Sequence, residues 1–253
     1  NPKEVIENLT TELSNLNIKF LFNQKRIIYK KKSIINQDGN EIYFGNLINC
    51  AGLESVNIAH QYNVGENYRI IPFKGLYWDI KDNFPLNINT NIYPVPDLNV
   101  PFLGVHFTPS ADNLSVYIGP TAVPALGRYN YKGLENIEAE LTIKNLLTFS
   151  KLYLTNKEKF RMYVNEQAFM RIPFILINSA KQIVPSINLK NIQLSNKVGI
   201  RAQLYNEKTN KLENDFLCLK QENSLHVLNA ISPAFTASFE LADLIINNII
   251  NEK

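Results

Sequence analysis

The chain has 253 residues, of which 45% are hydrophobic and 19% charged, and a formal net charge of +3. That composition suits one large domain or two small ones, and the small charge gives no footing for nucleic acid or a membrane surface. Its two cysteines, Cys50 and Cys218, lie apart in apolar runs, which excludes a disulfide framework and a CxxC metal site and favours a reducing compartment.

In chain order, residues 1–16 carry apolar positions at helical spacing (Val5, Ile6, Leu9, Leu13, Leu16), with Pro2 in the first turn. Asn17–Phe22 reads as a strand. Arg26–Ile35 and Glu41–Phe44 follow as two more, turning at Gln37-Asp38-Gly39-Asn40. Lys30-Lys31-Lys32 is an exposed hairpin face. Residues 46–52 form a short buried strand ending in a Gly turn, and Leu53–Tyr62 a short helix. That order is familiar from the later part of a dinucleotide-binding α/β unit. The strand and G-x-G-x-x-G loop that open such a unit are not found in this sequence. The chain is therefore expected to start partway through a domain, as a truncated piece, a split enzyme or a degenerate gene.

Arg69–Thr121 is the organising stretch. Four β-branched and aromatic runs, punctuated by Pro and Gly, predict an antiparallel sheet. Alternation sets Tyr93 with Val95, and His106 with Thr108, on shared faces. A face carrying a cation, phenols and an imidazole makes a plausible floor for a small ligand, drawn from Lys74, Tyr77, Tyr93, His106 and Thr108. From Gly133 to about Ser179 the pattern is helical, a cover over that sheet, with Pro173 kinking or starting a helix. Strands follow at Val198–Leu204, after the turn at 210–215, and at Ser224–Ala230. The last helix is expected over Ala234 to about Asn251, with Ser232 as N-cap and Pro233 in its first turn. The longest apolar run, Leu241–Ile250, is interrupted by Asp243, Asn247 and Asn248 and is too short to span a bilayer. Without a signal peptide the expected location is the cytoplasm, with a peripheral membrane position left open.

Five blocks resemble the D-amino-acid-oxidase-like superfamily of FAD-dependent oxidoreductases, and within it the L-2-hydroxyglutarate dehydrogenase/oxidase group. They are Leu47–Leu53, Arg69–Tyr77, Ile92–Asp97 with Pro101–Thr108, Gly119–Val123 with Arg128, and Gly199–Gln203 with Leu225–Ala234. The sequence departs from that group at Lys74 (usually Arg), Leu76 (usually Glu) and Trp78 (usually Tyr), and at Ile231 and Phe235. The implied fold is mixed α/β and α+β. A partial, discontinuous FAD-binding Rossmann-like domain (1–64 and 182–253) carries an inserted antiparallel-sheet substrate domain (65–181) covered by helices.

The resemblance implies FAD as cofactor and a small carboxylate as substrate, oxidised at a CH–OH group, with no metal. A separate chain supplying the N-terminal FAD-binding segment is the partner it leaves room for. His106 is then the candidate base, since imidazole titrates near neutrality; the plainer alternative is a strand histidine satisfied by its neighbours. Lys74, Arg128 and Arg201 are candidate carboxylate ligands, against surface or structural ion pairs. Tyr77, Tyr93 and Thr108 are candidate donors, against core packing. Cys50, Ala51, Gly52, Gly199, Ser232, Pro233 and Ala234 are candidate cofactor contacts, against turn, packing and capping roles. His60 and His226 read as structural. Two alternatives stay open: a non-catalytic remnant or subunit that binds a carboxylate or a partner, and an amine or amino-acid oxidase of the same superfamily.

Overall fold

Tyr68–Ile80 is a single 13-residue strand, and it is the spine of the molecule. Its run of β-branched and aromatic residues favours extended backbone, and two of its faces are used for packing. The computed structural model describes residues 1–24, 27–81, 84–95, 104–112, 115–156, 160–161, 164–165, 172–231 and 233–250. Arg26, Pro96, Asp97, Pro101–Leu103, Ser232 and Asn251, named above, lie outside the described residues. The chain divides into two compact units, Asn1–Leu47 and Ile48–Lys253.

In the first unit, α1 (Pro2–Asn15) is capped by the Asn1 side chain, which accepts from the Lys3 N–H at 3.2 Å. A meander of β1 (Ile28–Tyr29), β2 (Ser33–Ile35) and β3 (Glu41–Tyr43) follows. The expected continuous strand Arg26–Ile35 is instead a tight hairpin, with the lysine run at its turn, where the Lys30 N–H donates to the Ser33 carbonyl at 2.9 Å. Three adjacent like charges are better solvated at a turn than along a ladder. Asn17–Phe22 forms no strand; its Phe20 and Phe22 rings stack on each other at 5.5 Å instead of pairing a neighbour's backbone.

The second unit opens with β4 (Leu47–Asn49), which joins β11 (Leu217–Gln221) and β12 (Ser224–Asn229) in a three-stranded sheet ordered β11-β12-β4. Helix α2 (Ser55–Gln61) packs Val56 and Ala59 with Ile70, Leu204 and Leu228. The main sheet is antiparallel, with β5 (Tyr68–Ile80) between β9 (Ile192–Asn206) and β7 (Val116–Gly119). β6 (His106–Pro109) lies outside β7, β10 (Lys211–Leu212) outside β9, and β8 (Val123–Pro124) pairs with β5. The β5–β9 pairing runs from Tyr68 opposite Asn206 to Ile80 opposite Ile192, with a bulge at Leu76/Trp78. The sheet thus draws on both segments the sequence reading assigned to different domains. The Tyr93 run, read as a strand, contributes one bridge among the described residues, Ile92 to Phe107; Pro94 removes the donor that would extend it.

Two apolar layers fix this sheet. On one side Phe107, Ile118, Leu176 and Ile187 are fully buried, packing α4 (Pro173–Ala180) under β6 and β7. Elsewhere α3 (Ala139–Thr155) packs Leu152 and Phe149 with Ile71, Phe73 and Tyr205. Pro173 starts α4, as the sequence indicates. The last helix, α5 (Ser238–Ile250), begins four residues later than expected. Pro233–Ala237 is occupied by turns, with the Ala234 N–H donating to the Ile231 carbonyl at 2.8 Å. Those turns consume the first-turn role assigned to Pro233 and Ala234, so the helix entrance lies at Ser238.

Candidate functional site

Register decides which predicted residues meet. Phe107 pairs with Ile118, and Ile118 with Trp78; these side chains face the buried layer with α4. Alternation sends the intervening residues to the opposite face. There His106 pairs with Gly119 and Thr108 with Tyr117, while Tyr117 pairs with Asp79. Tyr77 abuts Gly119, since a Cβ added to Gly119 would lie 3.5 Å from the Tyr77 ring. The Ile92–Phe107 bridge sets Tyr93 beside His106, with ring centroids 4.9 Å apart. A row of Tyr93, His106, Gly119 and Tyr77 therefore crosses the sheet, with Thr108 and Tyr117 one pleat along.

Gly119 is a structural requirement of this row. Its φ of +136° is open to glycine, and a Cβ there would fall 2.9 Å from the Leu76 carbonyl oxygen.

The cation of the row is Lys197, which the sequence reading passed over. Its Nζ lies 4.0 Å from the Tyr117 ring centroid and 5.0 Å from that of Tyr77. The strand was expected only from Val198; in the structure it begins at Ile192 and the β5–β9 bulge brings Lys197 to Tyr77. A polar residue two before Gly199 in a strand partnering an aromatic run was the available signal.

His106 has a defined tautomer. Its Nδ1 is 3.0 Å from the Gly104 carbonyl oxygen, which only accepts, so Nδ1 carries the hydrogen and Nε2 keeps its lone pair. Burial pushes its pKa below the ordinary histidine value, with the Gly104 bond opposing. It is thus a neutral base at pH 7. Burial raises the Tyr77 phenol, which stays a donor. Burial lowers Lys197, opposed by the Asp79 charge.

Lys74 does not join this row. Lys74 pairs with Ile200, and Arg201 with Phe73, so alternation sends them to opposite faces of the β5–β9 ribbon, Arg201 to the face of Tyr77 and Lys197, Lys74 to the other. Arg201 lies further along β9, at the hollow described below. Lys74 Nζ donates to Asn130 Oδ1 at 2.8 Å. Arg128 is held in an ion-pair network, to Glu54 at 2.7 Å and to Glu138 at 2.6 Å, which raises its pKa and lowers that of Glu138. Its guanidinium edges are committed to those carboxylates. His226 is fully buried: its Nδ1 is 3.0 Å from the Asn49 amide nitrogen and its Nε2 3.1 Å from the Ser224 hydroxyl.

A second feature lies among β4, β9, β12 and α5. A hollow of about 600 Å³ is lined by Cys50, Gly52, Arg201, Ala230, Ile231 and Ser238, with apolar residues of α5 closing it. The Ala51 N–H is turned to the Asn49 side chain at 3.2 Å. Gly199 pairs with Gly75, and a Cβ on Gly199 would meet nothing within 4 Å. Between Lys197 and Arg201, β9 therefore offers bare backbone.

The DAO family profile, described as FAD dependent oxidoreductase, matches residues 1–247. The chain belongs to this family. L-2-hydroxyglutarate dehydrogenase of Indibacter alkaliphilus is 35% identical over 213 residues, 83% of this chain and 51% of that protein. The mitochondrial L-2-hydroxyglutarate dehydrogenase of Bos taurus is 32% identical over 221 residues, 85% of this chain and 47% of its own length. This chain spans about half the length of such curated relatives. Among solved structures, FAD-bound L-alpha-glycerophosphate oxidase of Mycoplasma pneumoniae superposes with a TM-score of 0.54 at 17% identity, over 91% of this chain and 50% of that one. That likeness supports the fold, a mixed α/β FAD-oxidoreductase architecture with antiparallel sheets. No helix among the described residues is long and apolar enough to cross a membrane. Among them no three His, Cys, Asp or Glu side chains gather as a metal site.

The residues present fit part of the family's cofactor. An apolar hollow and an open glycine floor suit a flat ring, and Gly52, with φ +56° and nothing within 4 Å of an added Cβ, admits close approach. The sequence carries no G-x-G-x-x-G phosphate loop.

Proposed function

We propose that this chain is the substrate-side portion of an FAD-dependent oxidoreductase acting on a small 2-hydroxy acid, L-2-hydroxyglutarate, to give 2-oxoglutarate. The observation that carries the reading is the His106 imidazole, with a free Nε2 lone pair, in a row with Tyr77 and Tyr93. The L-2-hydroxyglutarate dehydrogenases among the relatives supply the substrate.

In this reading Tyr77 and Thr108 donate hydrogen bonds to the acid and orient its C2 hydroxyl toward His106. Nε2 takes the hydroxyl proton as the carbinol becomes a ketone, giving an imidazolium held by the Gly104 carbonyl. Tyr93 lies tilted against the imidazole and covers one side of it. FAD, when bound, supplies the acceptor for the hydride leaving C2. Cys50, Gly52, Gly199 and Arg201 would hold its ring end. Residues 65–181 would carry most of the substrate side, with 1–64 and 182–253 on the cofactor side. The phosphate-binding half would come from a segment outside these residues, on the same polypeptide or a separate one.

The test is a flavin titration of the purified protein, followed anaerobically by L-2-hydroxyglutarate. Retained flavin that bleaches with this acid, and does so far more slowly in His106→Gln, is the expected result. Flavin that bleaches faster with glycine or sarcosine moves the reading to an amine oxidase. Protein that binds the acid but no flavin reduces it to a carboxylate-binding module.

A further inference from the structure

We propose that Lys197, poised over Tyr77 and Tyr117, is the receptor for the far carboxylate of a dicarboxylic substrate. This rests on the site reading above and extends it, because nothing in that reading says how a diacid is told from a monoacid.

The geometry carries the point. Lys197 is a strand residue whose ammonium lies 4.0 Å from one phenol ring and 5.0 Å from a second. Among the described residues no carboxylate forms an ion pair with it. Asp79 is the acidic neighbour, in register with Tyr117, and its Oδ1 is buried without a hydrogen-bond partner. Two ring faces hold the ammonium in one place and strip part of its water, which favours exchange of the remaining water for an anion. Lys197 also loses conformational freedom in advance, so less is lost on binding.

Placement relative to His106 fits a short diacid. Tyr117, under the ammonium, is one strand over and two residues along from His106, which pairs with Gly119. Strand spacing and rise put those positions roughly 8 Å apart. A 2-hydroxy acid with its C2 at the imidazole and its chain lying over β7 would bring a carboxylate at C5 to the ammonium. A monoacid of the same length ends in a methyl there and leaves Lys197 unmatched. The two tyrosine rings flank the methylenes between.

The test compares L-2-hydroxyglutarate with L-2-hydroxypentanoate, in which a methyl stands in place of the far carboxylate, by calorimetric titration of the protein and of Lys197→Met and Lys197→Arg. Loss of roughly tenfold to a hundredfold in diacid affinity in Lys197→Met is expected, as for one charge-assisted contact. Lys197→Arg is expected to restore most of it, and monoacid affinity to stay within about twofold in all three. A tyrosine spectrum unchanged in the variants reports that Tyr77 and Tyr117 are still in place. Equal diacid binding by the protein and Lys197→Met overturns the proposal while leaving the site reading intact. Equal loss of both acids assigns Lys197 a structural role and overturns it too. A protein that binds neither acid overturns the site reading and this proposal together.

Discussion

Acidification should weaken the fold through one buried imidazole, and the effect can be worked from His226. Its ring is fully buried beside Tyr62, with centroids 5.2 Å apart. The Asn49 amide donates to the Ser55 carbonyl at 2.7 Å and faces His226 Nδ1 at 3.0 Å, so Nδ1 accepts and Nε2 carries the hydrogen toward Ser224. Ser224 passes its own hydroxyl hydrogen to the Gln221 carbonyl at 3.0 Å. A second proton at Nδ1 would point at an N–H and charge a dry site. Burial accordingly lowers the His226 pKa below its ordinary value. With a folded pKa below the unfolded one, the contribution is complete above about pH 6.5 and is lost as pH falls, because the unfolded chain takes up the proton first. The limiting slope is about 1.4 kcal/mol per pH unit, so the loss between pH 6.5 and 5.5 is at most about 1 kcal/mol. His106, also lowered, adds a share of its own. Urea unfolding at pH 8, 6.5 and 5.5 measures this directly. In His226→Gln an amide oxygen accepts from Asn49 and an amide nitrogen donates to Ser224, so the fold is expected to be kept and the His226 share of the pH dependence to disappear. An identical dependence in His226→Gln would refute the reasoning.

Gly119→Ala is expected to cost about 3 kcal/mol or more in chemical unfolding, since it combines a left-handed φ of +136° with a methyl 2.9 Å from the Leu76 carbonyl oxygen. Gly45→Ala, where a methyl meets nothing within 4 Å, should stay within about 1 kcal/mol of the parent. Arg128→Met strands two carboxylates, Glu54 and Glu138, that are about a third exposed, and should destabilise by about 1–3 kcal/mol at pH 7, discounted for solvent. Because Arg128 holds Glu138 below its ordinary pKa, that stability is present above the carboxylate range and is lost as pH falls through it; the gap between parent and variant should close on acidification, as thermal unfolding at pH 7 and pH 4 would show.

Much of the chain was legible where local chemistry is decisive. Asn36 and Gly39 make the turn that Asp-Gly announces, the Asn36 side chain accepting from the Asp38 and Asn40 N–H groups at 3.1 and 2.9 Å. Pro173 starts a helix, and β12 begins at Ser224, where the sequence places it. Failures cluster where distant partners decide. Asn17–Phe22 has strand composition and no strand to pair with. Ser232-Pro233 is a fair helix start, yet turns through Ala237 delay α5 to Ser238. The site shows the same division. Alternation correctly grouped His106 with Thr108 on one face; the Ile92–Phe107 bridge is what sets Tyr93 beside His106. Which cation faces them depends on the β5–β9 register and its bulge, a relation between residues some 120 apart that no local pattern states. Lys74 was a candidate as the cation beside Gly75; the ribbon turns it to Asn130 and brings up Lys197 instead.

The central claim is that a small hydroxy acid lies on the polar face of β5, β7 and β6. Side-chain ¹³C NMR of tyrosine and histidine during titration with L-2-hydroxyglutarate tests it most directly. Shifts confined to Tyr77, Tyr93, His106 and Tyr117, with Tyr62 and His226 unmoved, are predicted. Saturable shifts at other residues, with His106 and Tyr77 silent, would contradict it.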